Sequence, residues 1–235
     1  MKALILSDIH SNIYALEAIW KREHDSDLVF CAGDHIDYGP FPRQTLEWVY
    51  EHNVRSVQGN HDAWLALSYR RGLIGERVPE AERAWVNHNA ALLDEADIRF
   101  LESLPKTLAF DLDGIPYGMT HLYRDYNEIV SLHAYEQFRA ELFGSAPPPR
   151  MIMGHTHRQC IRCLSDDLLW LNPGSASYRR MDDPDQTAHY ATITDGKISL
   201  KRLEYDITPL HRFIQTARLS EGELQVARFY FRQEK

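Results

Sequence analysis

Cysteine is scarce in this chain: Cys31, Cys160 and Cys163 are the three in 235 residues. An odd, scattered set makes no disulfide framework, which removes the small secreted scaffolds from consideration. Cys160 and Cys163 lie three apart in a stretch that reads as a strand, where they point to opposite faces, and no second pair accompanies them. That spacing does not favour a zinc site or a redox pair. Long apolar runs are missing as well; none approaches the roughly 18 residues of a membrane helix. So is basic excess. Lys and Arg number 26 against 34 Asp and Glu, a formal charge of -8. This argues against duplex nucleic acid as a partner, because such proteins exchange condensed counterions for many Lys and Arg contacts. No charged segment followed by an apolar one precedes the first strand, and with the unpaired cysteines this leads us to expect a cytoplasmic, reduced protein. Internal repeats and low-complexity tracts are absent.

What is present begins with a regular alternation. Ala3 to Ser7 is an apolar run too short for a helix and suited to a buried strand. Asn12 to Arg22 has helical spacing, Leu28 to Ala32 reads as a second strand, Gln44 to His52 as a helix and Val54 to Gln58 as a third strand. Helices are expected over Pro79 to Asn89 and Asp94 to Leu104, then a hairpin of Thr107 to Leu112 and Ile115 to Thr120 turning at Asp113-Gly114. A helix over 133–143 leads through three prolines to a strand at Met151 to Met153. Strands follow at 160–164, 168–171, 187–194 and 197–205, and a helical tail at 207–219. With 44% apolar residues the chain can fill one core. Two packed sheets with helices outside satisfy this order best.

Hard oxygen and imidazole donors fall at the ends of these strands. Asp8 and His10 follow the first, Asp34 the second, Asn60 the third, His121 the hairpin, and His155 and His157 the strand at 151–153. These seven candidate ligands exceed the need of one ion. A carboxylate bridging two divalent cations about 3.5–4 Å apart, with a water between them, would use them all and lower the water's pKa towards neutrality. Mixed imidazole and oxygen donors suit Mn²⁺, our first expectation, and also Fe, Zn, Co or Ni. Two such ions against two carboxylates leave the pocket positive, so a phosphate ester is the expected substrate. The ordinary alternative is a set of turn residues, since Asp, Asn and Gly are common at strand ends; the complete ordered series argues against it.

The series Asp8-Ile9-His10, Gly33-Asp34, Gly59-Asn60-His61-Asp62, His121 and Gly154-His155-Thr156-His157 resembles that of the calcineurin-like metallophosphoesterases, in particular their small bacterial single-domain branch. Asn172-Pro173-Gly174-Ser175 and Tyr205-Asp206 extend the resemblance over most of the chain. It implies an α/β (α+β) fold, a four-layer α-β-β-α sandwich, with a domain over 1–205 and a helical extension over 206–235 packed on it. It further implies Asp8, His10, Asp34 and His157 at one metal and Asp34, Asn60, His121 and His155 at the other, with Asp34 the bridge. The reaction implied is hydrolysis of phosphodiesters, and of small phosphomonoesters, by attack of a metal-bridging hydroxide. His61 would face the substrate and protonate the leaving group, and Asp37 would orient it. Where the phosphoprotein phosphatases of the superfamily carry an arginine after that aspartate, this chain has Tyr38, expected as part of the pocket wall; Arg179 or Arg180 could clamp phosphate instead. His35 could touch substrate or support the site from behind. The competing readings are a phosphoprotein or nucleotide phosphatase, a DNA-repair nuclease, and a catalytically silent protein-binding scaffold. Substrate specificity is expected in the loops 64–90, 122–132 and 175–186, and a homo-oligomer is compatible with the sequence.

Overall fold

The computed structural model describes residues 1–124, 129–177, 180, 182–183 and 185–231. The chain opens as β1 (Lys2–Leu6), α1 (Ile13–Glu23), β2 (Leu28–Cys31), α2 (Pro42–Glu51) and β3 (Arg55–Ser56). A helical section follows: α3 (Asn60–Arg70), two 3-10 turns (Gly75–Arg77 and Glu80–Glu82), α4 (Trp85–Leu92) and α5 (Glu95–Ser103). Then come β4 (Thr107–Leu112), β5 (Ile115–Thr120), α6 (Leu132–Phe143), β6 (Arg150–Ile152), β7 (Cys160–Cys163), β8 (Leu169–Asn172), β9 (Ala188–Thr194) and β10 (Lys197–Leu203). The chain closes with α7 (Thr208–Thr216) and α8 (Glu221–Tyr230).

The strands form two mixed five-stranded sheets, ordered β10-β9-β1-β2-β3 and β4-β5-β6-β8-β7. In the first, β1, β2 and β3 run parallel while β9 and β10 are antiparallel to their neighbours; in the second, β5, β6 and β8 are parallel. Parallel strands need both faces covered, and β1 shows how the sequence meets that demand. Ala3 and Ile5 point into the core between the sheets, with Phe30, Val57, Met119, Ile152 and Leu171. Leu4 and Leu6 point the other way, against Leu16 and Ile19 of α1 and Trp48 and Val49 of α2. Tyr135 and Phe138 of α6 cover Met151 and Trp170 on the outer face of the second sheet. Between the sheets, the rings of Phe30 and Phe110 stack with centroids 4.1 Å apart. The architecture is thus the four-layer α-β-β-α sandwich. Among the described residues no helix is long and apolar enough to cross a membrane.

Several elements differ from expectation. The third strand keeps ladder pairing only at Arg55 and Ser56, because the chain peels off to deliver Gly59 and Asn60 to α3. The loop expected from 64 is largely helical, as α3 runs to Arg70 and α4 starts at Trp85. The helix expected from Pro79 begins six residues later, because Arg83 and Ala84 are extended. The tail holds a second helix beyond 219, started by a capping box in which Ser220 and Glu223 hydrogen-bond each other's backbone N–H.

Trp85 joins that tail to the body. Its ring is 2% exposed among Leu210, Ile214, Ala227 and Phe231, and its indole N–H donates to the Glu223 carbonyl at 2.9 Å. Truncation to Trp85→Ala should cost about 3–5 kcal/mol in urea denaturation and speed proteolysis within α7 and α8 relative to the sheets. An unshifted urea midpoint would show that this side chain does not hold the tail.

Candidate metal centre

Most of the candidate ligands stand in loops beyond strand ends where the backbone turns sharply. Asp8 (φ 51°), His10 (48°), Asp34 (56°), His155 (68°) and His157 (61°) all adopt left-handed conformations that L-residues rarely occupy. The loops are held there by bonds between them: the N–H groups of Asp8, Ile9 and His10 donate to the carbonyls of Gly33 and Asp34 at 2.8–3.1 Å. Space alone requires glycine at several points in these loops, two of them beside the carboxylates. A Cβ at Gly59 would collide with the Asp34 carboxylate and backbone nitrogen, and one at Gly154 with the Ser7 hydroxyl.

The seven side chains meet at one spot and sort into two groups. In one, ligand atoms of Asp8, His10 and His157 lie within 4.8 Å of one another; in the other, those of Asp34, His121 and His155 do. Asp34 stands between them, its Oδ2 being 3.1 Å from His121 Nε2 and 4.0 Å from His10 Nε2. Asn60, the first residue of α3, brings Oδ1 to 3.0 Å from both His121 Nε2 and His155 Nδ1. His157 Nε2 is 3.0 Å from Asp8 Oδ1 and 3.3 Å from His10 Nε2.

The donor chemistry fits cations. Burial disfavours both carboxylates, yet the surrounding imidazoles outweigh it: His157 and His121 keep Asp8 ionised, and His121 and His61 do the same for Asp34, each well below the ordinary carboxylate range. Burial, aided by neighbouring imidazoles or Arg180, holds His10, His155 and His157 below the ordinary imidazole value, the direction in which a ring gives up its proton and offers a lone pair. His10 Nδ1 faces the Ile36 carbonyl at 3.2 Å and His121 Nδ1 the Ala32 carbonyl at 2.7 Å. A ring that donates one N–H to a carbonyl presents its other nitrogen as a ligand. His121 then points a lone pair at two oxygens, those of Asp34 and Asn60, an arrangement that calls for a positive charge between them. In the protein alone a proton supplies it: burial opposes the charged ring, but Asp34 prevails and pushes the His121 pKa up to about 10.

His61, in the first turn of α3, lies beside the two groups. Its Nδ1 is 2.7 Å from Asp37 Oδ2 and its Nε2 4.0 Å from Asp34 Oδ2, so the Asp37 carboxylate fixes which nitrogen faces the centre. Burial works against its charged form, but Asp34 and the hydrogen-bonded Asp37 raise its pKa above the usual imidazole value. Tyr38 packs its ring 5.0 Å from that of His10 and 4.6 Å from that of His61. Arg180 engages the His155 carbonyl through Nη2 at 2.7 Å and the Thr156 carbonyl through Nε at 3.3 Å, fastening the ligand loop from behind. Arg179 lies outside the described residues.

Other side chains hold this arrangement, and one of them, Asn89, was not singled out from the sequence. Asn89 of α4 accepts from the Ser11 hydroxyl (2.6 Å) and the Asp37 N–H (3.0 Å) and donates to the Gly39 carbonyl (2.9 Å). Asn172 donates to the Gly154 carbonyl at 2.6 Å, and the Ser175 hydroxyl to the Asp8 carbonyl at 2.7 Å, which gives the Asn-Pro-Gly-Ser motif a structural purpose. His35 is fully buried between Asp62 and the Ser56 hydroxyl, 2.9 Å from each, and so sits behind Asp34.

The model of the calcineurin-like phosphoesterase superfamily domain matches residues 1–196. An uncharacterized protein of Methanocaldococcus jannaschii, MJ0912, is 26% identical over 239 residues, covering 92% of this chain and 93% of that protein. A metallophosphoesterase from Sphaerobacter thermophilus has a similar structure: TM-score 0.73, 26% identity, and 97% and 98% of the two chains covered. A hypothetical protein from Pyrococcus horikoshii OT3, PH1004, shares the fold at TM-score 0.77 and 16% identity, with 98% of each chain covered.

Asp62 has the most partners of these supports. Its Oδ1 accepts the His35 N–H (2.9 Å), and its Oδ2 faces the N–H groups of Gly59 (2.9 Å) and Asp34 (3.1 Å) and His35 Nδ1 (2.9 Å). Asp62→Asn turns an amide N–H₂ against N–H donors whichever way it is rotated. Leaving one or two buried donors unsatisfied should cost roughly 2–4 kcal/mol, read as a lower urea midpoint. An unchanged midpoint would mean that Asp62 is not what holds Asp34 and Gly59 together.

Proposed function

The chain belongs to the calcineurin-like phosphoesterase superfamily, and from that premise we propose that it is a dinuclear metal-dependent hydrolase of phosphoric esters, phosphodiesters first and small phosphomonoesters second. The observation that carries this reading is the sorting of six buried or half-buried donors into two groups of three, with Asp34 of one group 4.0 Å from His10 of the other and Asn60 beside His121 and His155. Asp8, His10, Asp34 and His157 would hold one divalent ion, and Asp34, Asn60, His121 and His155 the other, with Mn²⁺ the first choice. Bound there, the pair supplies Lewis-acid charge and water whose pKa is lowered towards neutrality.

His61 then supplies what an ester of poor leaving group needs. Its Nδ1 is engaged by Asp37, so Nε2 is the atom that would hold the proton given to the departing oxygen as the phosphorus–oxygen bond breaks. Asp37 would also stabilise the charged ring and fix its orientation, the service a buried aspartate gives a catalytic histidine elsewhere. Tyr38 would form wall rather than phosphate clamp: burial first, and the neighbouring Tyr230 and Asp37, push its hydroxyl pKa up, so it stays protonated and neutral. A cytoplasmic location and a small soluble phosphate ester as partner complete the reading.

Asp34→Asn should lose metal from both groups and nearly all activity, because the amide carries no charge for either ion. Elemental analysis of the purified variant decides it: two metals per chain with near-normal turnover would remove Asp34 from the bridging role. His61→Ala should keep both metals and lose activity unequally. General acids contribute ~10²–10⁴-fold, most where the leaving oxygen is basic, so kcat/KM should fall far more for an alkyl ester than for a p-nitrophenyl ester. An equal fall on both, with metal content intact, would make His61 a stabiliser of phosphoryl charge only.

A further inference from the structure

The family match ends at residue 196, yet a residue of α8 reaches the site. The ring of Tyr230 lies 4.5 Å from that of Tyr38, which in turn lies 4.6 Å from His61. On another side of His61, Trp64 of α3 packs its ring at 4.9 Å while remaining 55% exposed. Tyr38 and Trp64 thus flank His61 directly, and Tyr230 extends that aromatic set through its contact with Tyr38. Ala227 and Phe231 bury against Trp85, and Tyr230 packs at the edge of the same cluster while staying partly exposed, its ring set against that of Tyr38.

The leaving oxygen of a substrate must sit beside the group that protonates it. If His61 is that group, the remainder of the leaving group emerges among the rings that surround His61. Tyr38 and Trp64 are in contact with His61, with Tyr230 against Tyr38, while the guanidinium of Arg180 is engaged elsewhere, on the carbonyls of His155 and Thr156. A half-exposed indole gains by covering its face with another flat, apolar surface, and ring-on-ring contacts add to the area term. Among phosphate esters, the biological group with that shape is a nucleobase.

We propose that Tyr230 of α8 joins Tyr38 and Trp64 as a specificity-determining wall for the leaving group, one that selects esters whose leaving group carries a planar aromatic ring, a nucleobase above all. The inference rests on the phosphoesterase reading given above, with His61 as proton donor. It assigns the C-terminal helix a part in substrate choice.

The test compares two diesters with equivalent leaving oxygens: methyl adenosin-5′-yl phosphate and its counterpart with a methoxy group in place of the base. Release of adenosine or of the methyl riboside is followed with metal-loaded, full-length protein. The parent should show at least about a tenfold higher kcat/KM for the adenosine ester, since stacking on an aromatic side chain is of that order per base. Tyr230→Ala and Tyr230→Leu should each bring the ratio towards one, and Tyr230→Phe should retain it. A ratio near one in the parent, or one that neither variant moves, overturns the proposal while leaving the phosphoesterase reading intact. Calorimetry with adenosine 5′-monophosphate and ribose 5-phosphate separates the two failures. If neither diester is cleaved, the reading falls, and the wall stands only if the nucleotide binds about tenfold tighter than the sugar phosphate and Tyr230→Ala abolishes that preference; equal affinities overturn it.

Discussion

Two carboxylates buried at the junction of the sheets set the terms for this molecule. Asp8 is 0% and Asp34 1% exposed, and a buried ionised carboxylate costs several kcal/mol unless positive charge and hydrogen bonds surround it. Hydrogen bonds cover part of that cost: Asp8 accepts from the Ser7 hydroxyl and the His155 N–H, and Asp34 from the His61 N–H. The remaining oxygens face imidazoles, most of which have their charged form opposed by burial. A site of this composition is balanced only when further positive charge enters it, and the elevated pKa of His121 is the protein's own partial answer.

Holding such a cluster together demands a backbone that resists relaxing. Left-handed residues at Asp8, His10, Asp34, His155 and His157 each give up some stability. They persist because the neighbouring structure has no alternative. Asp62 ties Gly59, Asp34 and His35 to one carboxylate, Asn89 ties the loops at Ser11, Asp37 and Gly39 to one amide, and Asn172 and Ser175 tie the last ligand loop to the first. The candidate ligands are thus positioned by polar side chains outside their two groups, in loops that leave strands buried on both faces.

This division explains what could be read from the sequence. Strand ends rich in Asp, His and Gly announce themselves, because few other residues tolerate the turn and carry donors. The hairpin at Asp113-Gly114 was legible to the residue, since its turn chemistry is local. Asn89 was not: an asparagine inside a helix gives no periodic signal, and its three partners lie 50 or more residues away. The start of α3 was hidden for another reason. Exposed Trp64 and Leu67 interrupt the polar face, so the apolar residues show no clear stripe. For α8 a signal was available in Ser220-Glu221-Gly222-Glu223, a capping box ahead of Leu224, Ala227 and Phe231 at helical spacing.

That last helix also bears on how stability and the site are connected. From α8 the path is short and wholly physical: the Glu223 carbonyl holds the Trp85 indole, Trp85 opens α4, and Asn89, one turn further on, holds the loop that carries Asp37. Asp37 in turn holds His61. A second path runs directly from Tyr230 to Tyr38, the residue after Asp37. The two paths converge on the histidine and the aromatic rings beside it, leaving the sheet-borne ligands Asp8, Asp34, His155 and His157 to the sheet-end loops and their own hydrogen bonds. On the proposed reading, a segment docked this way can change in sequence and re-aim the leaving-group side of the site while the candidate ligands stay as they are. On this construction, chemistry resides in the sandwich, and selectivity is open to adjustment from a helix that packs on its flank.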